Sequence, residues 1–320
     1  MILATLLFAL SPLARIDVPP PPPPIPGEAT APLSNVDGKE LIAGVIPEST
    51  TPKARERWSR VLSASLPAGV ERKPVTAFDL SIDVQYQASA QQTNMMPKAR
   101  YQWLAPGFVR ADTGRGRAHL RGPSGSYLLD ANTGEVIKLD IGRENAVDRR
   151  MLDEEAGIAA NFARLTDPNS IKIRKLVELS GPPSFLPDAL KDAAKKLAWL
   201  ELESPDFFVM RPLSLKVAPL ARVTLGVNVI DQRVELVIVD DASLPSTINP
   251  SSAVLRLSKY TPVDGFQVPW VIFVWLPAVQ DPQAALEPTR WMPKETMSLY
   301  VLEASLRAPL KPDDFLPPKK

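Results

Sequence analysis

The chain reads as an α+β fold, mainly β: one curved antiparallel sheet with helices packed on one face. Three observations predict it. Apolar and polar residues alternate with a period of two through most of the chain beyond Leu80. Turn signals fall at short intervals between these runs, as in an antiparallel meander. Helical periodicity appears in only three places, inserted among the strands rather than regularly alternating with them.

The elements follow in order. Thr51-Pro52 opens the first helix, a cap residue followed by proline at the first helical position. Ala54, Trp58, Val61 and Leu62 share one face, and Pro67 and Gly69 end it. Leu80, Ile82, Val84 and Tyr86 then alternate with polar residues, marking a half-buried strand. Strands are expected at Ala99–Leu104, Phe108–Asp112, Arg117–Leu120, Tyr127–Asp130 and Val136–Leu139, with turns at Pro106-Gly107, Gly122-Pro123 and Asn132-Thr133-Gly134. A second helix is expected over Asp148–Leu165, where Met151, Ile158, Phe162 and Leu165 recur at helical spacing beside Ala156, Ala159 and Ala163. Asp167-Pro168 stops it. Ile171-Lys172-Ile173 begins a strand, and a third helix is expected from Pro187 to Leu200, with Leu190, Ala193, Leu197 and Leu200 on one face. Strands complete the chain: Val223–Val229, Val234–Val239, Val254–Leu257, Val268–Leu276 and Ser298–Leu306. There is no internal repeat of solenoid length.

Ahead of these elements, Met1–Leu10 is an apolar run too short to span a bilayer, which takes about 20 residues. Followed by Ser11-Pro12-Leu13-Ala14, it reads as an export signal over residues 1–14, although no basic residue precedes it. This predicts a periplasmic or secreted protein. Residues 15–50 read as a proline-rich, irregular lead-in. Pro19–Pro24 forms a stiff polyproline II rod that cannot join a core, a spacer or a docking motif for a proline-reading partner. Residues 51–318 read as the globular domain.

Composition narrows the chemistry. Of 320 residues 35 are proline, roughly twice the usual ~5%. A net charge of +1 removes the bulk electrostatic case for nucleic acid. Cysteine is absent and His119 is the single histidine, so thiol chemistry, disulfides and Cys/His metal sites are excluded. No nucleophile elbow, phosphate-binding loop or dinucleotide fingerprint occurs. Two acidic clusters, Asp153-Glu154-Glu155 and Asp240-Asp241, could serve glycoside hydrolysis only if two carboxyls faced each other across a cleft. The first lies on the polar side of a helix. The second ends a strand just before a turn. Solvated surface explains the first more simply. Arg115, Arg117 and Arg121 surround two glycines and read as a hairpin rather than an anion site.

The apolar surplus says more. Trp103, Trp270, Trp275 and Trp291 fall in or beside predicted strands, joined by Phe266 and Phe273. Aromatics on the concave face of a curved sheet, under helices, line either an apolar cavity or an ordinary filled core. Periodicity does not separate the two.

Several segments then become familiar. Trp103-Leu104-Ala105-Pro106-Gly107-Phe108-Val109-Arg110 resembles the early strand pair of the periplasmic lipoprotein carriers (LolA/LolB-like), and Gly122–Asp130 the hairpin that follows it. Tyr260-Thr261-Pro262-Val263-Asp264-Gly265-Phe266-Gln267-Val268-Pro269 resembles a step of the broader group. Leu299–Leu306 with Lys311-Pro312-Asp313-Asp314-Phe315-Leu316-Pro317-Pro318 resembles its ending. The resemblance implies an incomplete β-barrel with a hydrophobic cavity under a helical lid, carrying lipid or lipoprotein acyl chains. It implies no cofactor, no metal and no reaction. The family's lid-latching arginine and its nearby aromatic fall here at Ala105 and Val109, so that latch is not carried over. The same fold also serves a periplasmic regulator, so a protein partner in the envelope is the alternative. On the carrier reading Trp103, Trp270, Ile272 and Trp275 line the cavity, Ile158 and Phe162 belong to the lid, and contact with a membrane is transient.

Overall fold

The computed structural model describes residues 33–66, 73–88, 92–95, 98–105, 107–112, 116–122, 125–130, 132–139, 157, 159–209, 218–243, 254–275 and 297–317. Helix α1 (Pro52–Ala64) is followed by strands β1 (Ala77–Ala88), β2 (Gln92–Met95), β3 (Ala99–Leu104), β4 (Phe108–Asp112), β5 (Arg117–Gly122), β6 (Gly125–Asp130) and β7 (Val136–Lys138). Helix α2 covers 157 and 159–166. Then come β8 (Lys175–Leu179), α3 (Asp188–Ala194), β9 (Leu197–Ser204), β10 (Ala221–Asn228), β11 (Val234–Asp241), β12 (Val254–Val263), β13 (Phe266–Trp275) and β14 (Met297–Ser305). Short turns of 3₁₀-helix occupy Pro168–Ser170 and Pro312–Phe315.

All strands join one antiparallel sheet in the order β7-β6-β5-β4-β3-β1-β14-β13-β12-β11-β10-β9-β8, with β2 paired to the end of β1. Apart from the β1–β14 closure of the two meanders, each strand on the path pairs with a near neighbour in sequence, as the short turn signals predict. Among the described residues no pairing joins β7 to β8, so the sheet is open.

Local sequence chemistry accounts for the boundaries. Thr51 caps α1, its Oγ1 accepting from Ala54 N at 3.3 Å. Val263-Asp264-Gly265-Phe266 closes the β12–β13 hairpin with positive φ at both central residues (47° and 87°), the conformation that makes Asp-Gly the favoured pair there. The Asp264 carboxylate also accepts from Ser305 Oγ, Leu306 N and Arg307 N at 3.1, 2.7 and 3.2 Å, clasping the end of β14.

Three expectations need correction. Ile171-Lys172-Ile173 is not a strand: Lys172 N donates to the Asp206 carboxylate at 2.6 Å instead of to a ladder, and pairing starts at β8. Both isoleucines are nonetheless buried. The third helix ends at Ala194, not Leu200. Beyond it Leu197 and Leu200 lie on opposite faces of β9, because alternation with Trp199 and Leu202 overrides the weaker helical spacing. Asp240-Asp241 ends a strand, β11, as expected, and the structure adds that both residues are buried there. The strand at Val254 runs on to Val263. Residues 148–156, with Asp153-Glu154-Glu155, and Ile158 lie outside the described residues, as does Trp291.

The sheet curls around α2. The Phe162 ring meets Phe78 of β1 edge-on, centroids 5.4 Å apart. One turn later Leu165 borders the same small gap as Leu202 of β9 and Leu225 of β10. In the sheet β1 and β10 are five steps apart, roughly 24 Å if flat at about 4.8 Å per step. A helix about 10 Å wide lies close to both only if the sheet wraps round it. The architecture is therefore an open half-barrel with α1 and α2 on the concave face. Its main core joins Trp58 and Val61 of α1 and Ala159 and Ala163 of α2 to the inward residues of the strands. A smaller cluster lies on the convex face, where α3 places Leu190 and Ala194 against Trp199, Leu236, Ile238 and Trp275.

Candidate functional site

The concave face under α2 is the candidate site. Strand alternation aims Phe78, Leu80, Ile82 and Val84 of β1 into it, and Tyr101 and Trp103 of β3 beside them. Phe78 stacks on Trp103 at 5.5 Å with 25° between the planes, and Phe162 closes on Phe78 from above. Between Trp58, Leu165, Leu202, Phe207 and Leu225 the remaining gap is ≈ 10 Å³, about one water's worth of room. Beside Leu165, α2 leaves almost no free room above the strands.

Helix α2 is fastened by few groups. Asn161 makes two hydrogen bonds to one residue 47 positions away: its Nδ2 donates to Phe208 O at 2.9 Å and its Oδ1 accepts from Phe208 N at 2.6 Å. The Phe208 ring lies directly on Gly157, where a Cβ would fall within 2.1–2.5 Å of three ring carbons. Arg164 Nη1 donates to Ser170 O at 3.3 Å. The helix otherwise presents Ala159 and Ala163 to the core, with Phe162 and Leu165 half-buried against it.

The predicted site residues divide. Trp103, Phe162 and Ile272 share the concave cluster. Trp275 lies on the convex face, buried against the α3 side. Trp270 is half-buried and lies between Pro269 and Val271, whose partners Tyr260 and Ser258 flank Lys259, where a φ of 52° interrupts the alternation of β12. Ile158 is outside the described residues. Sequence reasoning overlooked Phe78, although it has the parity of Leu80, Ile82 and Val84 and could have been found there. It also overlooked Asn161 and Phe208, which no local pattern connects.

The polar groups of the sheet are equally placed by register. His119 lies between Ala111 and Leu128 across β4, β5 and β6, both of which belong to the concave core. Burial pushes its pKa down to about 4, so it is neutral at pH 7. On the convex face Lys175, Glu203, Arg222 and Asp240 stand directly opposite one another across β8, β9, β10 and β11. Side-chain exposure falls along this row from 43% at Lys175 to 8% at Asp240. Arg222 Nε lies 3.7 Å from Asp240 Oδ1, and burial drives the Asp240 pKa up to about 7 despite the guanidinium. Among the described residues no three His, Cys, Asp or Glu side chains cluster as metal ligands would, and no helix is long and apolar enough to cross a membrane.

No family model matches the chain, and no curated protein matches it. The chain is similar to solved structures at low identity. One is a LolA superfamily protein from Nitrosomonas europaea, 15% identical with a TM-score of 0.41, the match covering 82% of this chain and 97% of that one. Another is a DUF1329 family protein from Desulfovibrio piger, 10% identical with a TM-score of 0.42, covering 83% and 98%.

Proposed function

We propose that this chain is an exported binding protein that shelters the acyl chains of a lipid or lipoprotein against the concave face of its half-barrel, α2 acting as the lid. The observation that carries the reading is the way one short helix closes the apolar part of the concavity with two large side chains, Phe162 and Leu165. Because the gap beneath is only ≈ 10 Å³, an acyl chain enters by replacing α2. Covering about 300 Å² of acyl surface at about 25 cal/mol per Å² supplies roughly 7 kcal/mol, enough to offset a lifted helix. The apolar run Met1–Leu10 supports delivery to the periplasm, where such cargo needs shelter from water. No covalent chemistry is involved.

Native mass spectrometry of the full chain, recovered gently from the periplasm of an expressing cell, tests this. Near one-to-one co-purification of acyl lipid or lipopeptide is expected. A bare protein mass that takes up no added fatty acid overturns the reading. That outcome favours a second one, an envelope protein that meets a protein partner. The lack of free room beside Leu165 supports it, as do Val229 and Ile230, 52% and 89% exposed beside the β10–β11 turn.

A further inference from the structure

We infer that the half-barrel holds its ligand by an anionic head, between Trp103 and Arg121 on the concave face. The inference rests on the acyl-binding reading and adds the chemistry of the ligand's polar end. Its basis is a transverse row fixed by register. Phe78 of β1 stands opposite Trp103 of β3, Trp103 opposite Val109 of β4, Val109 opposite Arg121 of β5, and Arg121 opposite Ser126 of β6. Directly paired residues share a face. Phe78, Trp103 and Val109 belong to the concave core, so Arg121 and Ser126 face the same side.

The row changes character at Val109. On one side are stacked rings and on the other a cation and a hydroxyl, with a short side chain between. Trp103 is 3% exposed, yet its indole Nε1 is buried with no hydrogen-bond partner among the described residues. A buried donor without an acceptor is costly, and an acceptor brought by a ligand removes the cost. Trp103 and Arg121 are two strands apart, about 10 Å between backbones. An acidic oxygen seated over Val109 lies within reach of both side chains, and Ser126 supplies a further hydroxyl. The chain of such a ligand runs from there over Trp103 and Phe78, where Phe162 now lies. The shared chemistry is an anionic oxygen on an acyl or alkyl chain, a carboxylate or a phosphate.

The test compares four probes on the full chain by isothermal titration: hexadecanoate, hexadecyl phosphate, hexadecanol and inorganic phosphate. The expected result is that at least one anionic chain binds about tenfold or more tighter than hexadecanol, the scale of a hydrogen bond to a charged group. Which of the two anions binds tighter distinguishes carboxylate from phosphate. Arg121→Met erases the preference and Arg121→Lys keeps most of it. Trp103→Phe retains the stack on Phe78 but narrows the preference. Thermal unfolding of each variant confirms that it folds, and Arg121→Gln replaces the methionine variant if that one does not. Equal binding of hexadecanol and the anions, or a preference that survives Arg121→Met, overturns the inference and leaves acyl binding standing. Tight binding of inorganic phosphate alone overturns it in favour of a free-anion site. No binding of any chain probe overturns both readings.

Discussion

Replacing Asp240 with asparagine should make the protein more stable at neutral pH, although it deletes one half of a buried ion pair. The geometry explains the sign. Asp79 and Asp240 each lie beside an arginine on a neighbouring strand. Asp79 is partly buried, which opposes its charge. It nonetheless takes two hydrogen bonds from Arg100, at 2.8 and 2.5 Å, and one from Gln102 at 2.8 Å, and its pKa is lowered. Asp240 is more deeply buried, lies 3.7 Å from the Arg222 guanidinium, and its Oδ1 accepts no hydrogen bond. Arg222 Nη2 donates instead to the carbonyls of Asp241 and Ala242, at 3.5 and 3.0 Å. Burial therefore dominates. Arg222 offsets part of it, Glu201 and Asp241 add repulsion, and the pKa rises to about 7.

The stability consequence follows from linkage. An unfolded aspartate titrates near pH 3.9, so the folded state holds a proton that the unfolded state has released between about pH 4 and 7. The contribution of Asp240 is fully present below about pH 4 and is lost as pH rises through about 7. A shift of about three units, at about 1.4 kcal/mol each, sets an upper bound near 4 kcal/mol. Asparagine mimics the neutral acid. Asp240→Asn should match the wild type near pH 4 and exceed it by up to about 4 kcal/mol near pH 8. His119 works in the opposite direction. Its folded pKa of about 4 lies below the unfolded value, so stability is lost as pH falls from about 6.5 toward 4. The readout is therefore the difference between two urea-unfolding series, not the wild-type pH curve. Parallel curves, or a variant weaker by about 3–5 kcal/mol near pH 8 as for a broken strong pair, would refute the reasoning.

Three further outcomes are expected. A methyl group on Gly226 would sit 2.8 Å from Leu197 Cδ1, 3.0 Å from Trp199 Cη2 and 3.1 Å from Leu236 Cβ, so Gly226→Ala should cost about 1–3 kcal/mol in thermal or urea unfolding. Asp264→Ala removes an acceptor from two backbone N–H groups and a hydroxyl, and a residue suited to positive φ, for a loss of about 2–3 kcal/mol by denaturation. Asn161→Ala leaves Phe208 N and O without their partner, so amide exchange in 159–166 should accelerate at least about tenfold while β9–β14 keep their protection.

The fold was legible wherever local chemistry decides. Turn residues and strict alternation located β3 and β4 to the residue, because each hairpin closes within a few positions. The Thr51-Pro52 start of α1 was legible for the same reason. Failures occurred where distant partners decide. Ile171 and Ile173 look like a strand, but Asp206 takes the amide between them. Asp240-Asp241 was legible as a strand end but not as a buried one, because only the neighbouring strands bury it. At the site, alternation identified the face-sharing sets but not which set was concave. Trp275 and Ile272 were therefore grouped together, although they are three positions apart on one strand and so lie on opposite faces. The Asn161–Phe208 clasp spans 47 positions and has no sequence signature.

A lid must be able to leave without unfolding what it covers, and the two faces of this sheet divide that labour. The convex side carries structure that does not depend on α2: the α3 cluster around Trp199 and Trp275, the charge row from Lys175 to Asp240, the Asp264 clasp, and Phe315 packed on Phe108 at 5.6 Å. The concave side commits only Phe162 and Leu165 among the large described side chains of α2. Removing two such residues from apolar contact costs about 3–6 kcal/mol. An acyl chain covering the same strands regains roughly 7 kcal/mol. The two quantities are close, so lid and ligand exchange with a small net free energy, and modest changes at Asn161 or Phe162 should tip the balance between release and retention.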